Sequence, residues 1–367
     1  MEYKRLGDFI ESIDERNSKL EVKLSQGISN DKYFQEPKQV AENSAADKIV
    51  RKGYFAYNRA TTRNGEKISI AYREGPDCTV SSAYQVFRVK DEEKLNPKYL
   101  LMWYKRPDFD RYARFRSHGS AHEFFEYDEM CDVRIPLPSI ERQREIVEEY
   151  ETLSRRISLN EQMIQKLEAT AQALYRKMFF VKRSGKAERV DGIDKENLPD
   201  GWRMGTLGEV AEINSGKTCV DKSDIKDETY RYPVAGASGI IGFSSTYNYN
   251  EKLMTTGRVG TLGVVNRYNQ KIYMADNVLI VRSPFYEYCF QVLNSLDYSE
   301  ITKGGVQSLI TQTDLKDTAT IIPPTEILGE FEEQSSSIYS FVETKECENS
   351  KLTELQSLLL AKMNVQI

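Results

Sequence analysis

The chain has 367 residues, of which 40% are apolar and 11% aromatic, with a formal charge of -5. That length implies two or three domains, and the apolar content suffices for real cores, which excludes a disordered chain. Five scattered cysteines (Cys78, Cys131, Cys219, Cys289, Cys347) form no CxxC pair and only two histidines occur, His118 and His122, so neither a disulfide scaffold nor a metal site is expected.

Taken in order, residues 1–138 form a first globular segment that opens on Arg5-Leu6-Gly7-Asp8-Phe9-Ile10. Residues 67–72 and 83–89 carry the β-branched and aromatic content of strands, and Asn96-Pro97 supplies a capping side chain and a first-turn proline for a helix. Before them lies a polar turn with Asn58, Arg59, Thr61, Thr62, Arg63 and Asn64, residue types able to read base edges. Residues 104–120 interleave Lys105, Arg106, Arg111, Arg114 and Arg116 with Tyr104, Phe109, Tyr112 and Phe115. Such a pattern grips phosphates, and Arg114, Arg116, Ser117, His118 and Ser120 around Gly119 are the candidates. An amphipathic helix with its aromatics in the core explains the same pattern without DNA.

Residues 139–180 read as one long helix entered through Pro136-Leu137-Pro138. Ile146, Tyr150, Leu153, Ile157, Asn160, Ile164, Leu167, Ala171, Leu174 and Met178 recur in alternating steps of four and three, the seam of a coiled coil. At about 1.5 Å per residue the rod is about 60 Å long. A polar linker over 182–199 leads into a second globular segment, with boundaries 181–324, which opens on Thr206-Leu207-Gly208-Glu209 in the pattern of the first. Residues 211–218 satisfy a loose phosphate-loop pattern, but the polar, acidic stretch after Thr218 does not suit a helix that cradles phosphate. Candidate contacts here are a turn with Thr255, Thr256 and Arg258 and another with Lys303, Gly304, Gly305, Gln307 and Ser308. Strands are expected at 259–265 and 277–282, and a helix capped by Ser283-Pro284 after them.

The last segment, 325–367, repeats the rod. Adding 185 to each seam position gives Phe331, Ser335, Ile338, Val342, Lys345, Asn349, Leu352, Gln356, Leu359 and Met363, without a gap. The offset also maps Gly119, Asp132 and Pro138 on Gly304, Asp317 and Pro323, so the chain is internally duplicated. Two rods joined by a globule can pack antiparallel, with Asn160, Lys345 and Asn349 as polar seam positions that either set register or face solvent at a frayed seam. The expected fold class is α+β, with two globular domains separated by two long helices in an antiparallel coiled coil, related as a pseudo-twofold internal repeat. Segment by segment, 1–138 holds 24 basic and 23 acidic residues, 139–178 holds 7 and 7, 179–324 holds 17 and 18, and 325–367 holds 3 and 8. Neutral globules leave any DNA contact to local patches. No apolar run marks a signal peptide or membrane span, which suits a cytoplasmic protein without a membrane partner. No catalytic motif is found.

Two variable globules with fixed ends, each followed by a long helix entered through proline, resemble the specificity subunit of type I restriction-modification systems. The residues that carry the resemblance are Leu6-Gly7-Asp8 and Leu207-Gly208-Glu209 at the openings and Ile135-Pro136-Leu137-Pro138 and Ile321-Ile322-Pro323-Pro324 at the joints. Ile140-Glu141-Arg142-Gln143-Arg144-Glu145-Ile146 begins the first rod, and Leu174-Tyr175-Arg176-Lys177-Met178-Phe179 and Leu358-Leu359-Leu360-Ala361-Lys362-Met363 end the two. The second rod departs from the pattern at Glu326-Ile327-Leu328-Gly329-Glu330-Phe331, which lacks the Glu/Arg-Gln pair. The resemblance implies that each globule is a target recognition domain reading half of a bipartite site in double-stranded DNA. It implies that the rods set the spacer and dock two methyltransferase subunits, with restriction subunits joining. S-adenosylmethionine, ATP, magnesium and catalysis would then belong to the partners, in DNA methylation and phage defence. Arg142, Arg144, Arg155 and Arg156 and the acids of the second rod are the expected docking surface. A stand-alone bivalent DNA-binding protein would bind a duplex without partners, a coiled-coil scaffold would shift none, and a phosphate-loop enzyme would hydrolyse ATP unaided.

Overall fold

In a computed structural model, β-branched and aromatic runs form strands, and the two heptad segments form uninterrupted helices; the structure describes residues 3–37, 44–60, 67–118, 123–179, 198–259, 262–302 and 309–363. The chain divides into a first unit of residues 1–160 and 347–367 and a second of residues 161–346, so each long helix contributes to both.

The first unit contains β1 (Tyr3–Arg5), β2 (Ile10–Ile13), β3 (Gly27–Ile28), β4 (Phe34–Gln35), β5 (Lys48–Val50), β6 (Phe55–Asn58), β7 (Ile70–Tyr72), β8 (Cys78–Val80) and β9 (Tyr84–Val89). The helices α1 (Pro97–Tyr104), α2 (Pro107–Phe115) and α3 (Tyr127–Cys131) follow, then β10 (Arg134–Pro136) and the rod α4 (Ile140–Phe179). An antiparallel sheet runs β2-β9-β6-β7. On it Phe55 and Phe87 stack at 5.0 Å, and Tyr104 of α1 stands edge-on to both. Each such buried ring is worth about 1.5 to 3 kcal/mol. Asn96 caps α1 as expected, its Oδ1 accepting from the N–H groups of Lys98 (2.8 Å) and Tyr99 (3.3 Å), with Pro97 at the first helical position. The rod is fastened by Gln143, fully buried, which accepts from the Asn96 N–H (2.8 Å) and donates to the carbonyls of Lys94 and Pro138 (both 3.0 Å).

The second unit contains β11 (Arg203–Thr206), α5 (Leu207–Val210), β12 (Glu212–Ser215), β13 (Tyr232–Gly236), β14 (Gly239–Ser244), β15 (Tyr249–Gly257), β16 (Val265–Met274) and β17 (Val278–Arg282). After these come α6 (Tyr286–Ser295), α7 (Tyr298–Ile301), α8 (Gln312–Lys316), β18 (Ala319–Ile322) and the rod α9 (Thr325–Lys362). Its sheet runs β12-β17-β15-β16-β13-β14, antiparallel except between β13 and β16. Two expectations fail here. Of the described residues of the run 259–265 only Val265 lies in a strand, opening β16, and Gly263 takes φ +81 in the turn before it; β15 has already closed at Gly257. Ser283 does not cap α6, which begins at Tyr286; its Oγ accepts from Phe285 N–H and donates to the Val210 carbonyl. The cap comes from α9, where the Glu332 carboxylate accepts from the N–H groups of Glu287 (3.0 Å) and Tyr288 (2.8 Å). Burial raises the Glu332 carboxyl above its ordinary range, and those two N–H groups oppose the shift.

The duplication is visible as repeated contacts inside each unit. Leu6 N–H donates to the Val133 carbonyl (2.8 Å) and Leu207 N–H to that of Thr318 (2.9 Å). The hydroxyl of Tyr99 in α1 donates to the carbonyl of Pro136, and that of Tyr288 in α6 to Ile321. β1 pairs with β10 and β11 with β18, each antiparallel. The acceptors Val133/Thr318 and Pro136/Ile321, like α3 and α8, obey the same offset of 185.

The rod seam follows the heptad. Ile146, Asn160, Phe331 and Val342 are buried, and Tyr150, Leu153, Ile157, Ile164, Leu167, Leu174, Ile338, Lys345, Leu352 and Leu359 are half-buried. The helices are antiparallel. In the first unit Gln356 Nε2 donates to Ser154 Oγ (2.7 Å) and Asn160 Nδ2 to Asn349 Oδ1 (2.9 Å), while in the second Ala171 packs with Tyr339 and Val342. Asn160 thus pairs with Asn349 rather than with Lys345. The Asn160 Oδ1 is buried without a hydrogen bond, at a cost of about 1 to 3 kcal/mol. The double variant N160L/N349L is therefore expected to raise the melting temperature in a calorimetric scan by several degrees, at about 2 to 4 °C per kcal/mol. A fall would show that the pair stabilises rather than specifies.

Candidate nucleic-acid interface

In the first unit two separately expected stretches meet. Phe124 bridges antiparallel to both Ala60 and His118, so the end of β6 and the end of α2 share one support. Asn58 Oδ1 accepts from Ala60 N–H (3.1 Å), shaping the turn. The Arg59 guanidinium donates to the Ala83 carbonyl (3.2 Å), pairs with Glu126 (3.2 Å) and lies 5.9 Å from the Phe124 ring centre. Arg114 pairs with Glu123 at 3.0 Å, and Arg116 with Glu129, whose hydrogen bond raises the guanidinium further. His118 is exposed, its Nε2 3.8 Å from Glu129. Ser117 is buried and its hydroxyl donates to the Ala113 carbonyl, so it is spent within the helix and does not face a ligand. Thr61, Thr62, Arg63, Asn64 and Ser120 lie outside the described residues, as does His122.

The core explanation for the aromatics of this stretch holds for Tyr104 and Phe109, both buried, and for Tyr112, which packs on Phe125. It fails for Phe115, which is 80% exposed at the end of α2 among the arginines. Sequence reading also missed the acids. Glu123, Glu126 and Glu129 recur every third position after the basic stretch, a spacing that could have signalled them.

In the second unit Arg258 takes the place of Arg59. The Arg59 carbonyl accepts from Phe125 N–H (2.9 Å) and the Arg258 carbonyl from Ile310 N–H (3.0 Å), where Phe125 and Ile310 are again 185 apart. Arg258 is half-buried, its N–H donating to Asn277 (2.9 Å). Thr255 and Thr256 are corrected: they lie inside β15, opposite Ile280 and Leu279 of β17, with no exposed surface, and a duplex cannot reach them. Lys303, Gly304, Gly305, Gln307 and Ser308 lie outside the described residues.

The phosphate-loop resemblance dissolves in the structure. The N–H groups of Gly216 and Lys217 donate to the carbonyls of Val278 (3.2 Å) and Met274 (3.0 Å), no helix follows, and a Cβ on Gly216 would meet the Ala275 carbonyl at 1.9 Å. Glycine is required there by the neighbouring strand, with its amides turned away from any anion. Among the described residues no cluster of His, Cys, Asp or Glu could hold a metal ion, and no helix is long and apolar enough to cross a membrane.

The arginines expected at the docking surface of the rods have partners within the chain. Arg142 pairs with Glu145, Arg144 with Glu93 and Arg156 with Glu348, while Arg155 donates to Thr152, so these arginines are engaged within the chain. In the first unit the rods present an open groove of about 640 Å³, floored by Leu153, Leu355, Leu358 and Leu359 and rimmed by Glu145, Glu148, Glu149, Thr152 and one cation, Lys362.

Known proteins share this arrangement. The family model described as "Type I restriction modification DNA specificity domain" matches residues 1–169 and again 199–357, one match for each copy of the repeat. The chain is 23% identical over 296 residues to the type I restriction enzyme MjaIX specificity subunit of Methanocaldococcus jannaschii, covering 72% of this chain and 68% of that one. It is 20% identical to the HindI specificity subunit of Haemophilus influenzae, covering 87% of each. The crystal structure of a type I restriction-modification S subunit from M. genitalium has the same fold, with a TM-score of 0.61 at 14% identity over 99% of this chain and 95% of that one. The two family matches, one on each half of a duplicated α+β chain with antiparallel rods, show that this protein belongs to the type I restriction-modification specificity-subunit family.

Proposed function

We propose that each unit reads one half of a bipartite, asymmetric site in double-stranded DNA, and that the rods set the unread spacer and dock two methyltransferase subunits. Arg59 and Arg258 carry the reading. Each ends a strand at the same point of the repeat, its carbonyl fixed to the residue six beyond Gly119 or Gly304. Different side chains around an identical backbone frame are what two different half-sites require. The leucine groove with its acidic rim suits an amphipathic helix with a basic flank, and a methyltransferase subunit is the partner we assign to it. The chain itself is non-catalytic in this reading. S-adenosylmethionine, ATP and magnesium act in the methyltransferase and restriction subunits.

The test is a map of N6-methyladenine in cells that express the methyltransferase subunits with and without this chain. A bipartite methylated motif should appear only with it. An unchanged methylome in an active system would overturn the proposal.

A further inference from the structure

Arg59, Arg114 and Arg116, the described arginines of the first unit's candidate interface, are each held by a carboxylate, and all three carboxylates come from one short segment. Glu123 holds Arg114 at 3.0 Å, Glu126 holds Arg59 at 3.2 Å and Glu129 holds Arg116. The pairs sit at the surface, with side-chain exposures between 21% and 54%. Ion pairs this exposed contribute little to stability, so folding does not call for three of them on one face. The repeat does not call for them either. The positions 185 beyond Glu126 and Glu129 are Thr311 and Asp314, which form the capping box of α8.

We propose, on the basis of the DNA-reading role above, that Glu123, Glu126 and Glu129 are positioning residues that set specificity through the arginines. They hold the guanidinium groups in place and neutralised, so that the first unit has little grip on an arbitrary phosphate backbone. A matching half-site displaces the carboxylates because it offers phosphate and base edges together; a wrong sequence offers phosphate alone. Local neutralisation also explains how a segment with a strongly basic stretch stays close to zero net charge.

Glutamine keeps the size and the acceptor oxygen but removes the charge. For the full chain assembled with its methyltransferase subunits, E123Q/E126Q/E129Q is expected to bind a duplex with a scrambled first half-site at least tenfold more tightly at about 0.1 M salt. Its plot of log affinity against log salt should steepen by about two to three, since each uncompensated arginine adds about 0.9. The aspartate triple variant, which keeps the charges, should behave as wild type. E11Q/E212Q/E251Q removes three charges that pair with Arg88 and Arg282 elsewhere, and should leave the slope unchanged. An unchanged slope in E123Q/E126Q/E129Q, or one no steeper than in this control, overturns the inference while DNA reading stands. Failure of the wild-type complex to bind its own methylated motif overturns both.

Discussion

Replacing Phe331 by alanine is expected to lower the melting temperature of the second unit by about 6 to 20 °C. Phe331 has no exposed surface, and its ring meets Phe179 at 5.0 Å, edge to face, and Tyr175 at 6.0 Å. Phe179 in turn meets Tyr288 at 5.0 Å and Trp202 at 5.9 Å. This aromatic knot joins both rods to α6, whose regular backbones resist collapse into the cavity. Truncating a buried phenylalanine costs about 3 to 5 kcal/mol, and each kcal/mol lowers the midpoint by about 2 to 4 °C in a domain of this size. The chain supplies its own reporters, because its two tryptophans fall one in each unit. In a Trp103→Phe background the emission of Trp202 follows the second unit, and a midpoint shift below about 3 °C would contradict the argument.

Phe331 and Tyr175 illustrate what a single sequence discloses. The seam period, the 185-residue offset and the proline joints depend on spacing along one helix, and spacing is written in the chain; every expected seam residue is buried or half-buried. Element ends that depend on local chemistry were also legible, as Asn96 and Pro97 show. What was not legible depends on residues far apart. The cap of α6 comes from Glu332, 45 positions from the N–H group of Glu287 it accepts from, and no local pattern announces it. Thr255 and Thr256 look like turn residues until β17 covers them on one side and β16 on the other. For the interface, the sequence marked Arg59, Arg114 and Arg116 but not that Phe124 brings them together, nor that each already holds a carboxylate. Ionic partners are chosen by tertiary structure, so charge counting along the chain gave neutrality without its cause.

The second large effect is expected at Asp110, in the middle of α2. Its Oδ1 accepts from Lys32 Nζ (2.6 Å) and from the Ile68 N–H (3.1 Å), and Lys32 Nζ also donates to the Ile68 carbonyl (2.9 Å). Lys32 is 6% exposed and sits at φ +67, a conformation a non-glycine residue adopts at a cost of about 1 to 3 kcal/mol. The surroundings therefore hold it there for the sake of its contacts. Replacing Asp110 by alanine leaves a buried ammonium without its carboxylate, which costs about 3 to 5 kcal/mol. The emission of Trp103 in a Trp202→Phe background should report a lower midpoint for the first unit. The sign of the pH dependence separates this cause from a simple packing defect. Burial holds the Lys32 amine below its ordinary range and Asp110 opposes that shift. Without Asp110 the folded-state value falls further below the unfolded one, so the folded chain favours the neutral amine, and stability should recover as pH rises from the folded value toward that of an unfolded lysine. A packing defect would show no such recovery. Because α2 also carries Arg114 and leads directly into Arg116, D110A should blur the first half of the methylated motif and leave the second half sharp; equal loss at both halves would mean that α2 does not read DNA.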